Sequence, residues 1–119
     1  MPVIRLKRAY DPKSPDDGCR VLVDRWWPKG VRKEALAIEY WAKELAPSEP
    51  LIEAFHADPG RWAEFRRRFL KELEAPAAQE ALRGLAEVSK ARPVTLLYAS
   101  REPARNNAVV VKEAIEDFL

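Results

Sequence analysis

The sequence predicts a small α/β domain, three layers deep, with a short and mainly parallel sheet flanked by helices. Three features lead there: two runs rich in β-branched residues near the amino terminus, one continuous apolar run near the carboxyl terminus, and helical periodicity between and after them. The 119 residues suit a single domain spanning 1–119.

Residues 3–8 and 19–24 read as strands through Val3, Ile4, Leu6, Val21, Leu22 and Val23. Between them, residues 11–18 hold two prolines, three aspartates and a glycine, a density of turn formers that no helix interior tolerates. The ten residues linking the two strands are marginal for a parallel crossover, so the pairing direction of the first strand stays open. Trp27-Pro28-Lys29-Gly30 makes a turn, and Leu36, Tyr40 and Leu45 then place a helix over 33–45. Ser48 and Glu49 ahead of Leu51, Ile52 and Phe55 look like the cap and first turn of a short helix. Asp58-Pro59 opens the next one, with Asp as N-cap and Pro in the first position. Its stripe of Trp62, Phe65, Phe69 and Leu73 recurs at spacings of three and four and belongs to the core. Residues 77–90 form another helix through Leu82, Leu85 and Val88. Residues 94–99 have the unbroken apolar character of a strand buried on both faces. A polar loop then leads into a last helix with Ala108, Val111, Ile115 and Phe118 on one side.

Composition narrows the function classes. Apolar residues make up 47% and charged residues 34%, with no apolar run long enough to span a membrane. The amino terminus meets Arg5 at once and lacks the form of a signal peptide, so a cytoplasmic protein is expected. One cysteine, Cys19, and one histidine, His56, exclude an internal disulfide and a multi-histidine metal site. No phosphate-cradling glycine loop, dinucleotide fingerprint or metal-binding histidine pair is present, and which cofactor, if any, the protein uses is unknown from the sequence. The net charge of +2 conceals segregation: residues 1–33 carry nine bases against four acids, and residues 91–112 four against one. If the fold joins those stretches, a local positive field results, suited to a compact anion rather than a long polyanion.

Ligands of parallel sheets bind beyond the carboxyl ends of the strands. The second strand runs into Asp24-Arg25-Trp26-Trp27-Pro28-Lys29, and the last into Tyr98-Ala99-Ser100-Arg101, followed by Arg105-Asn106-Asn107 at a helix start. Arg25, Arg101 and Arg105, with Lys29, can clamp phosphate or carboxylate oxygens. Asp24 is the candidate catalytic acid or base, or a ligand for Mg²⁺ alongside a substrate phosphate; an ion pair with Arg25 or another base that only orients the loop is the competing role. Trp27 is either a stacking wall or core, and Tyr98 a hydrogen-bond donor without an activating base. Asn106 would offer an amide near the helix start. His56 reads as a helix-end residue beside Asp58, and Cys19 as a structural thiol.

Lys7-Arg8-Ala9-Tyr10-Asp11-Pro12, Asp16-Asp17-Gly18 and residues 20–30 together resemble the YeaO-like branch of the domain of unknown function 488 family. The resemblance continues through Leu45-Ala46-Pro47-Ser48, residues 55–59 with Trp62, residues 95–99, and Asn106 with Ala108 and Val109 to Lys112. It implies no reaction. Longer relatives carry a Cys-His-Arg at the strand end matching residues 94–99, where this sequence has Tyr98 and Arg105-Asn106-Asn107. The polar matching motifs coincide with the two strand-end loops, which points to a site on Asp24, Arg25, Arg101 and Asn106. The expected function is an enzyme or binder acting on an anionic small molecule. The alternatives are a module for single-stranded or flipped nucleotides, and a protein-interaction domain using Arg66, Arg67 and Lys71.

Overall fold

A computed structural model describes residues 1–119. Five helices surround a four-stranded, all-parallel sheet. The strands are β1 (Ile4–Arg8), β2 (Cys19–Leu22), β3 (Tyr40–Trp41) and β4 (Val94–Tyr98), in the order β1-β4-β2-β3. The helices are α1 (Lys33–Leu36), α2 (Glu49–Ala57), α3 (Trp62–Glu72), α4 (Pro76–Ala91) and α5 (Asn107–Glu116). No helix is long and apolar enough to cross a membrane.

β4 is central because all five of its residues are buried, so both of its faces can be covered and both of its edges paired. Leu96 stands opposite Leu6 of β1 and Val21 of β2. The first two strands therefore lie on either side of β4 and do not touch each other. Ten extended residues reach about 33 Å, enough to return along a five-residue strand without a helix. This connection is pinned to the strands it crosses: the Thr95 hydroxyl donates to Asp17 O at 2.7 Å, and the buried Asp17 carboxylate takes Lys7 at 3.0 Å and also Arg20. Gly18, at φ +62°, ends the crossing where a Cβ would collide with the Pro93 carbonyl that Cys19 N–H bonds at 2.8 Å.

The two faces of the sheet are covered unequally. Val21, Val23, Val94 and Leu96 join α3, α4 and α5 in a large core with Phe65, Phe69, Leu82, Val111 and Ile115. Leu22 and Leu97 point to the other face, where Ala9 and Leu36 cover them with Trp27, Val31, Ile38 and Trp41. That layer is mostly loop.

Two expected helices are corrected. The helix placed over 33–45 stops after Leu36, because Ala37 takes a left-handed conformation at φ +49°. The chain then pairs as β3, Glu39 N–H donating to Arg20 O and Ala42 N–H to Leu22 O, which places aromatic Tyr40 and Trp41 in extended backbone. Asp58 does not cap α3. Its carboxylate instead accepts from Gly60 N–H at 3.2 Å in a turn, and α3 begins four residues later at Trp62. The expected N-cap Ser48 precedes α2, but its hydroxyl donates to Glu72 of α3 rather than capping its own helix. The Arg66 guanidinium, on the proposed interaction face, is paired with Glu113 at 2.9 Å, while Arg67 and Lys71 are exposed.

Candidate functional site

The carboxyl ends of β2 and β4 lie side by side, and beyond them opens a cavity of about 420 Å³. That volume is within the usual range for small-molecule sites. The loop after β2 contributes Asp24 through Lys29, the loop after β4 contributes Ala99, Ser100, Arg105 and Asn106, and α5 contributes its first residue, Asn107. Ile52, Phe55 and His56 of α2, with Phe65 of α3, close the apolar side.

Asp24 sits where β2 ends and joins the two loops. Its Oδ2 accepts from the Ala99 N–H at 2.9 Å, its Oδ1 from Asn107 Nδ2 at 2.9 Å, and its backbone carbonyl from the Trp41 indole at 2.8 Å. Burial pushes its pKa above the ordinary 3.8, and the hydrogen bonds from Asn107 and Ala99 only partly offset that. No cation pairs with it. The Arg25 guanidinium instead turns to Pro47 O, donating through Nε at 2.8 Å, so the loop-orienting ion pair considered for these neighbours is not formed.

Trp27 belongs both to the core and to the cavity wall. Its indole N–H donates to Val31 O at 2.7 Å, and its ring meets Trp41 edge-on at 5.6 Å, packed against the small core of the loop-covered face. Trp26, by contrast, is 55% exposed at the rim. Tyr10 completes the rim, donating its hydroxyl to Lys29 O at 3.0 Å beneath the Arg8 guanidinium. Arg8 also donates to Ala99 O and Ser100 O, fixing the loop after β4.

Of the sequence-predicted site residues, the cavity brings together Asp24, Arg25, Trp27, Lys29, Arg105 and Asn106. Two others stand apart from its lining. Tyr98 is 5% exposed within the large core, because strand alternation turns it to the helical face. Arg101 projects, exposed, from the loop. Asn106 lines the cavity, but its amide is engaged at the start of α5: Oδ1 caps the helix by accepting from Val109 N–H, and Nδ2 donates to Glu102 O. The amide that reaches the strand ends is that of Asn107, whose Nδ2 also donates to Val23 O at 3.0 Å. Ser100 of the strand-end loop lines the cavity as well, and so does His56, which the sequence places only at a helix end.

Comparison with known proteins follows the same boundaries. The family model described as the inactive DUF488-N3 subclade matches residues 3–119. The chain belongs to this family. Among curated DUF488 relatives, it is 44% identical over 110 residues to the uncharacterized protein YeaO of Escherichia coli (strain K12), covering 92% of this chain and 94% of that one. It is 43% identical over 112 residues to the uncharacterized protein Rv3073c of Mycobacterium tuberculosis (strain ATCC 25618 / H37Rv), covering 94% and 92%. The uncharacterized protein Mb3100c of Mycobacterium bovis matches to the same extent. No solved structure matches this DUF488 chain.

Proposed function

We propose that this chain is a cytoplasmic small-molecule binder whose cavity takes an anionic ligand bearing phosphate or carboxylate. One observation carries the reading. Arg25, Lys29 and Arg105 line one cavity, none is paired with a carboxylate, and Asp24 is the single acid among the lining residues. Cations with spare donors around a partly apolar hollow suit an anion attached to a planar or apolar body.

Binding is favoured over turnover by the chemistry of Asp24. Its two oxygens hold the Ala99 N–H and the Asn107 amide, and no activated nucleophile stands beside it. The description of the matching family as an inactive subclade supports the same choice.

Calorimetric titration with inorganic pyrophosphate tests the reading. We expect one binding event with a shallow dependence on salt, weakened about tenfold by Arg105→Ala, since a hydrogen bond to a charged group is worth about 1.5–3 kcal/mol. Arg105 is exposed and its side chain bonds nothing within the protein, so the melting temperature should stay within about a degree. No binding, or equal binding by the variant, contradicts the proposal. The exposed Trp26 ring favours a second reading as a stacking surface for single-stranded nucleic acid. An oligonucleotide whose affinity falls steeply with salt, with no response to pyrophosphate, would decide for it.

A further inference from the structure

The cavity presents unmatched acceptors as well as unmatched cations. Each Asp24 oxygen receives one hydrogen bond, whereas an ionised carboxylate offers about four acceptor sites. Asn107 spends its amide nitrogen on Val23 O and Asp24 Oδ1, and its own Oδ1 receives no donor. That oxygen touches solvent, because Arg20 Nη2 is the protein's one enclosed side-chain polar atom without a partner. Asp24 is half-buried and has no cation partner, so each of its oxygens keeps acceptor capacity that the protein itself does not fill. Trp26, Trp27 and Phe55 line the same cavity.

Resting on the anion-site reading, we infer that the ligand carries a planar N–C–N edge with two adjacent N–H donors, docked on Asp24 with Asn107 Oδ1 alongside. Its anion is held by the cavity's cations, Arg25, Lys29 and Arg105. Two N–H groups in one plane match the two oxygens of a carboxylate in parallel, the same geometry by which a guanidinium binds one. Guanine has such an edge in its N1–H and exocyclic amino group, and a guanidino acid has it in its guanidinium. The aromatic lining selects the guanine nucleotide, whose flat base stacks where a flexible aliphatic stem would not.

Titrating the full chain with GMP, IMP, ribose 5-phosphate and free arginine tests this directly. GMP is expected to bind at least about tenfold more tightly than IMP, which lacks the exocyclic amine, and than ribose 5-phosphate, which lacks the base. Asp24→Asn is expected to remove the preference for GMP over IMP. Should that variant fail to fold, the ligand series on the unaltered protein decides alone. Arginine binding more tightly than GMP would keep the donor edge and assign it to a guanidino acid. Equal affinity for GMP, IMP and ribose 5-phosphate would overturn the donor-edge inference and leave the anion site standing. If no ligand of the series binds, both fall.

Discussion

Asn107, in the first turn of α5, reaches Asp24 at the end of β2, its Nδ2 standing 2.9 Å from the carboxylate Oδ1 across 83 positions of sequence. With the Ala99 N–H on the other oxygen, this contact ties three segments into the floor of the cavity. Asp24 thus positions the two loops whether or not a ligand is present.

Removing that acceptor should therefore cost stability. Asp24→Ala leaves the Ala99 N–H and the Asn107 amide without their partner, an expected loss of about 1–3 kcal/mol by urea denaturation at pH 7. The pH dependence has an unusual sign. Burial raises the Asp24 pKa, so below that value the folded chain holds a proton that the unfolded chain, at the ordinary 3.8, releases. Asp24 hence contributes more stability as pH falls toward the ordinary value. The advantage of the unaltered protein over Asp24→Asn should widen between pH 7 and pH 4; a narrowing would show that the carboxylate is not desolvated.

Asp17 should behave in the opposite way. Burial raises its pKa, but hydrogen bonds from the Ser14 N–H, Lys7 and Arg20 outweigh this and hold it below 3.8. Its stabilisation is full above the unfolded value and is lost as pH falls through the folded one. Asp17→Asn strands the buried Arg20 and should cost about 3–5 kcal/mol at pH 7. The difference in denaturation midpoint should shrink at pH 3. A constant difference would mean that the carboxylate charge contributes nothing.

Phe69 is fully buried in α3 and packs its ring against Phe65, with centroids 5.7 Å apart. Phe69→Ala should cost about 3–5 kcal/mol, with a cavity left in the helical layer. A loss below about 1 kcal/mol would show that the layer collapses to refill the space.

Much of the fold is legible in the sequence because its signals are local. β-branched residues in β1 and β2, the apolar run of β4 and the stripe Trp62, Phe65, Phe69 and Leu73 announce elements that tertiary packing then agrees with. β3 is not legible: two residues have no period, and the four-residue spacing of Leu36 and Tyr40 imitates a helix face. Asx chemistry hides in the same way. Asp58 before Pro59 has the form of a cap, and only the Gly60 N–H at 3.2 Å distinguishes the turn. At the cavity, the strand-end rule finds Asp24, Arg25, Trp27, Lys29 and Arg105 because β2 and β4 are neighbours in a parallel sheet. It does not separate Asn106 from Asn107, since which amide caps α5 and which meets Asp24 depends on where the helix begins. Nor does it find His56, which α2 brings to the rim from a distant part of the chain.

The claim that this cavity holds an anion is tested most directly by an amide NMR titration with inorganic pyrophosphate. Saturable shifts are expected at Arg25, the Trp26 and Trp27 indoles, Ala99, Ser100 and residues 105–107, with Arg105→Ala weakening all of them together. Shifts confined to the exposed basic side of α3 at Arg67, Arg68 and Lys71, or no shift at all, would contradict it.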